Sequence, residues 1–150
     1  MKLQSSAFAD GADIPSRYTC HGLDVSPPLT WEDLPSGTRS LALIVEDPDA
    51  PGKIWTHWVI FDVPPEPARL NEHVPTSRTL SNGARQGLND FGHIGYGGPC
   101  PPSGTHRYFF KLYALNTAIA LSPGVTKEQL LKAMTGHVLG EGELMGRAQQ

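Results

Sequence analysis

The chain has 150 residues, 39% hydrophobic and 18% charged, and its 16 glycines and 14 prolines make up a fifth of the total. A chain of this length is expected to form one domain spanning 1–150 and to bury roughly 70% of its unfolded surface, so its core needs neither a disulfide framework nor a metal staple. Twelve basic and fifteen acidic residues give a net charge of −3 with no basic cluster, which removes the electrostatic footprint of a nucleic-acid binder.

In chain order, Leu3–Phe8 reads as a first strand, followed by a turn-rich stretch through Asp10, Gly11, Pro15, Gly22, Pro27 and Pro28. Ser40–Glu46 is a continuous apolar strand of the kind buried on both faces, and it stops at Asp47-Pro48-Asp49-Ala50-Pro51-Gly52. A second strong strand is predicted over Ile54–Val63. Strict alternation along it puts Trp55, His57, Val59, Phe61 and Val63 on one face. Residues 64–104 read as loops, densest over Gly92–Gly104, where eight of thirteen residues are Gly or Pro. A third strand is predicted over His106–Leu115, with His106, Tyr108, Phe110, Leu112 and Ala114 on its more apolar face. Thr126 and Gln129 form a capping-box pattern ahead of Leu130, Leu131 and Met134, the one clear helix signal. Short strands plus one short C-terminal helix predict a mainly β, antiparallel fold, a sandwich in preference to a barrel.

The longest aliphatic run, Leu41–Val45, is far short of the roughly 20 residues that cross a bilayer, and the N-terminus lacks the apolar region of a secretory leader. These features predict a cytoplasmic protein. Cys20 and Cys100 belong to no CxxC pair, and in a cytoplasm both are expected to be reduced. Their pairing is left open by the sequence; it would close a loop of about 80 residues, worth roughly 4 kcal/mol in the chain-entropy description.

His57 and His106 each sit near the start of a strand beside a Pro/Gly-rich loop, where a rigid sheet presents groups to solvent. Each is two residues from an aromatic ring, Trp55 and Tyr108. A histidine satisfied by a backbone carbonyl would explain either one alone. Asp47 and Asp49 flank Pro48 on a stiff segment, which ordinary turn chemistry also explains.

Taken together, Asp47-Pro48-Asp49-Ala50-Pro51, Trp55-Thr56-His57 and Gly97-Gly98-Pro99-Cys100-Pro101-Pro102-Ser103-Gly104-Thr105-His106-Arg107-Tyr108 resemble the phosphatidylethanolamine-binding protein family, in its bacterial Raf-kinase-inhibitor-like branch. Tyr18–Gly22 with Ser26–Trp31 resembles the N-terminal segment of that branch, and Gly136–Glu141 its C-terminal helix. The resemblance implies a β-sandwich with a small anion pocket for phosphate-type head groups. By position it assigns Asp47, Trp55, His57, Gly98, Pro99, His106 and Tyr108 to ligand binding, and Asp49 and Pro51 to shaping the wall. The stretch at Cys100 and Pro101 departs from the animal members.

The residue chemistry suits that implication, because imidazole, phenol and glycine-turn N–H groups all donate to a phosphate. Asp47 would sustain a protonated histidine or accept from a ligand ammonium, and Trp55 would supply an apolar wall. The expected function is binding of a small phosphate-type or carboxylate anion with a regulatory role and no turnover, without a cofactor. One alternative is a protein inhibitor whose Pro/Gly loops contact a kinase or serine protease. The other is a metal-dependent enzyme using the two histidines and a carboxylate, for which no HExxH-type spacing exists. No GxSxG elbow supports a serine hydrolase. Asp90-Phe91-Gly92 copies a kinase tripeptide in a chain too short for a kinase, and reads as coincidence. His21, His73, His93 and His137 read as surface or turn residues, and a homodimer is left open.

Overall fold

A computed structural model describes residues 1–150. Eight strands are formed: β1 (Lys2–Gln4), β2 (Leu29–Glu32), β3 (Ser40–Asp47), β4 (Trp55–Val63), β5 (Arg69–Leu70), β6 (Arg85–Gln86), β7 (Thr105–Leu115) and β8 (Val138–Gln149). One α-helix, α1 (Lys127–Met134), precedes β8. The strands make a three-stranded antiparallel sheet, β1-β2-β5, and a five-stranded antiparallel sheet, β6-β4-β3-β7-β8. No helix is long and apolar enough to cross a membrane.

The larger sheet is covered on both faces, and this is why β3 reads as an unbroken apolar run. Leu41, Leu43 and Val45 point into the main core, where they join Leu3, Leu29, Trp31 and Leu70 of the small sheet. The alternate residues Ala42 and Ile44 join Val59, Phe61 and Leu115 beneath Leu130 and Met134 of α1. Burial of such side chains contributes about 1.5–3 kcal/mol each, so the two layers dominate the stability of the fold. The capping box at α1 forms as its sequence predicts: Thr126 Oγ1 accepts from Gln129 N, and Gln129 Oε1 accepts from Thr126 N.

Several expectations are corrected. The first strand is shorter than Leu3–Phe8, and the 64–104 region carries the two-residue strands β5 and β6. The segment that resembles a C-terminal helix at 136–141 instead leads into β8, the longest strand, which pairs with β7 over the whole of the latter's length. Two of its glycines are spacing elements: a Cβ on Gly140 would lie 2.9 Å from the Pro35 ring, and one on Gly146 would press on Ile14 and Phe8.

Strict alternation fails along β4. Val45 and Glu46 pair with Trp58 and Thr56, so His57 is the extra residue of a bulge; a second irregularity lies between the pairs Leu43–Ile60 and Leu41–Val63, where Asp62 has φ +54°. Each bulge reverses the facing of the residues beyond it. Trp58, Ile60 and Val63 therefore face the main core while Val59 and Phe61 face α1. The predicted single face is broken, and the break is what directs Trp55 and His57 to the end of the main core.

Cys20 and Cys100 are joined in a disulfide with Cα atoms 5.4 Å apart, which overturns the expectation of reduced thiols. The bond ties the loop after Tyr18 to the Pro-rich loop ahead of β7.

Candidate functional site

Antiparallel order places the C-terminal end of β3 between the N-terminal ends of β4 and β7. Asp47, Trp55, His57, His106 and Tyr108 thus meet at one end of the sheet, around a cavity of about 270 Å³. Ala50, Pro51, Phe91, Cys100, Pro101 and Pro102 complete its wall.

Within it, His106 Nδ1 lies 2.6 Å from Asp47 Oδ2, both side chains being buried. Asp47 Oδ1 accepts from the Asp49 amide at 2.8 Å, so both carboxylate oxygens are engaged by protein groups. Asp49 does not reach the cavity. It accepts from Arg107 N, Nε and Nη2 at 2.8–2.9 Å, and the guanidinium holds its carboxyl at about 2. The turn between β3 and β4 is thereby fastened to β7, and Pro51 is carried into the wall.

His57 Nδ1 lies 2.6 Å from the Gly97 carbonyl, which can only accept, so Nδ1 carries the proton. The Gly97 amide returns a bond to the His57 carbonyl at 2.9 Å. Burial pushes the His57 pKa down, against smaller opposing contributions from Gly97, Asp47 and Asp24. Neither His57 nor His106 uses its Nε2 on a protein group.

Tyr108 and Trp55 stand out for a different reason. The Tyr108 hydroxyl and the Trp55 indole nitrogen are buried and have no protein acceptor. Burial, aided by the nearby Asp47 carboxylate, pushes the Tyr108 phenol far up, so it remains a donor throughout the physiological range. The four side chains converge: the His57 ring is 5.2 Å from Tyr108 and 5.3 Å from Phe91, and Phe91 is 5.5 Å from Trp55.

Gly98 and Pro99 do not line this cavity. The Gly98 amide donates to Asp24 Oδ1 at 2.7 Å, and the Pro99 carbonyl accepts from Cys20 N at 3.1 Å. Gly98 instead borders an adjoining cleft of about 650 Å³, which shares Phe91 and Cys100 with the first cavity. Sequence reasoning set Phe91 aside as part of a coincidental tripeptide and did not place it at the cavity. Asn89 Oδ1 accepts from Phe91 N and His93 N, and Asp90 Oδ2 accepts from Thr56 N, so the Asn89–Gly92 turn is strapped to β4 with its phenyl ring at the cavity mouth. The Asn-Asp-x-Gly pattern was a usable turn signal, but nothing in it announces the strand it binds.

No three His, Cys, Asp or Glu side chains are grouped as a metal would need. What the cavity does offer is four inward polar groups: the donor-only Trp55 indole N–H, the Tyr108 hydroxyl that can donate or accept, and two imidazole nitrogens that donate when protonated.

A family model described as phosphatidylethanolamine-binding protein matches residues 4–149. The chain is 58% identical to a UPF0098 protein of Methanothermobacter thermautotrophicus over 146 residues, covering 97% of each. A UPF0098 protein of Aquifex aeolicus is 46% identical over 149 residues, covering 97% of this chain and 86% of that one. Among solved structures, a putative phosphatidylethanolamine-binding protein homolog, CT736 of Chlamydia trachomatis, is similar with a TM-score of 0.91 and 44% identity, over 99% of this chain and 97% of that one. YbcL of E. coli, described as a new member of the mammalian family, has a TM-score of 0.90 and 32% identity over 99% and 98%. With sandwich, motifs and relatives in agreement, this chain belongs to the phosphatidylethanolamine-binding protein family.

Proposed function

We propose that the chain binds a small phosphate-type or carboxylate anion in the cavity between β3, β4 and β7, without turnover, and that occupancy serves a regulatory role. One observation carries this reading: Tyr108 Oη and Trp55 Nε1 are buried donors without a protein acceptor on the lining of one cavity. Leaving such a donor unpaired costs about 1–3 kcal/mol, so an oxyanion that accepts from both recovers that energy on binding. The Nε2 atoms of His57 and His106 supply two further contacts, and 270 Å³ suits a group of phosphate size better than an extended substrate. Asp47, occupied by His106 and Asp49, is a support for His106 in this reading rather than a reader of a ligand ammonium.

The test is an NMR titration of both imidazoles with inorganic phosphate and with phosphoethanolamine, using His57→Gln and His106→Gln for assignment. Both rings should shift together and saturably. Silence of both rings at millimolar concentrations of either compound overturns the reading, and attention then passes to a kinase or protease partner for the loops.

A further inference from the structure

Asp24 belongs to neither the motifs nor the cavity, yet it is tied to the cavity through one peptide group. The Gly97 carbonyl that receives His57 Nδ1–H at 2.6 Å and the Gly98 N–H that donates to Asp24 Oδ1 at 2.7 Å are the two ends of the same peptide unit. A carboxylate on the N–H end draws that proton outward and increases the negative charge on the carbonyl oxygen at the other end, so the two hydrogen bonds strengthen each other.

Resting on the anion-pocket reading above, we propose that Asp24 is a positioning residue for that pocket, acting on His57 through the Gly97–Gly98 peptide. It fixes His57 as the tautomer with Nδ1–H on Gly97, so that Nε2 faces the ligand, and it favours the protonated ring that donates to an anion.

The construction around Asp24 is specific. Its backbone has φ +58°, in the left-handed region, and its amide donates to the Arg17 carbonyl at 3.0 Å. That conformation aims the side chain at Gly98. Residue 98 must be glycine, because a Cβ there would collide with Asp24 Oδ1 and the Tyr18 carbonyl. The Tyr96 hydroxyl holds the same Tyr18 carbonyl at 2.6 Å from the buried side. The other charged and titratable groups around His57 are accounted for. Asp47 is bound to His106, Tyr108 stays neutral, and Asp90 is bound to Thr56 and paired with Lys53 at 3.2 Å. Asp47 also favours the protonated His57 ring through space, and Asp24 is the one carboxylate that reaches its Nδ1 side, through the Gly97–Gly98 peptide.

Asp24→Asn separates charge from shape, since the amide oxygen can still accept from Gly98. His57 followed by NMR against pH should titrate lower in the variant, because the carboxylate charge that favours the protonated ring is gone. His106 should titrate as before, and affinity for inorganic phosphate at pH 6 should fall several-fold. An unchanged His57 titration, or an equal displacement of His106, overturns the proposal. In the unaltered protein the Gly98 amide proton should follow the His57 titration curve, which tests the same wiring without any variant; a flat Gly98 response also overturns it. If phosphate fails to bind the unaltered protein while Gly98 still tracks His57, the anion reading is what fails and the wiring stands.

Discussion

His106 Nδ1 and Asp47 Oδ2 are 2.6 Å apart at the point where the end of β3 meets the start of β7, and both are buried. The pair orients the ring as well as satisfying the carboxylate: with Nδ1 committed to Asp47, only Nε2 remains for a ligand. Asp47→Ala removes the acceptor and leaves a buried imidazole donor free to turn. A destabilisation of about 1–3 kcal/mol is expected, as for other buried groups stripped of a partner. Phosphate affinity should fall at least tenfold, read by calorimetric titration beside a urea melt. Unchanged affinity with lowered stability would make the pair a purely structural feature.

His57 sets a pH dependence of opposite sign for stability and for binding. Burial lowers its pKa in the folded chain below the ordinary 6.5, so between those two values the unfolded chain holds more protons. Stability is therefore complete above about pH 6.5 and is lost as the pH falls toward the depressed folded value. An oxyanion prefers the imidazolium, so affinity for phosphate should rise over the same interval. Thermal melts of His57→Gln between pH 7.5 and 5 should lack the part of the decline that the unaltered protein shows, and added phosphate should protect the unaltered protein more at pH 5.5 than at 7.5.

How far the sequence reaches is clearest in particular elements. Strand β7 was legible almost to the residue, because His106, Tyr108, Phe110, Leu112 and Ala114 alternate with more polar neighbours and all five are buried. The doubly covered β3 was legible for the converse reason, its lack of alternation. Strand β8 was hidden by Gly140, Gly142 and Gly146, which carry no side chain to register a pattern; Gly140 is needed where Pro35 crowds the sheet, and Gly146 where Ile14 and Phe8 do. The bulge at His57 was equally invisible, since register is a property of two strands and only one is read at a time. At the site, Asp47, His57, His106 and Tyr108 were found from local motifs. Phe91 and Asp24 were not, because each reaches the site through contacts made dozens of residues away in sequence.

Glu46 precedes Asp47 but points to the other face of the sheet, where its carboxylate takes Lys111 Nζ at 2.6 Å and Lys127 Nζ at 2.7 Å. Burial acts to raise its pKa, and the two lysine hydrogen bonds outweigh that and carry it below the ordinary 4.5. A depressed carboxyl stabilises the fold above its unfolded value and loses that contribution as the pH falls through the folded one. Because Lys127 opens α1, the loss should concentrate at the helix. Glu46→Gln should lower stability at pH 7 by about 1–2 kcal/mol, a value discounted for partial exposure. Its urea midpoint should also decline less than that of the unaltered protein between pH 5 and 3. Identical slopes would mean that other carboxylates govern the acid response.

The Cys20–Cys100 bond closes a loop of 80 residues and sits on the wall shared by the cavity and the adjoining cleft. Residues 101 and 102 are prolines with no N–H to give, so the wall segment draws little support from the backbone and depends on its anchored end. Two consequences separate cleanly. Replacing both cysteines by serine should cost about 4 kcal/mol of stability, the chain-entropy value for a loop of this length. It should also weaken phosphate binding several-fold at temperatures where the variant is fully folded, because Cys100, Pro101 and Pro102 lose their fixed position against Trp55 and Tyr108. Guanidinium melts measure the first and calorimetry the second. A large stability loss with unaltered phosphate affinity would show that the wall is held by packing alone and that the bond serves the fold, not the pocket.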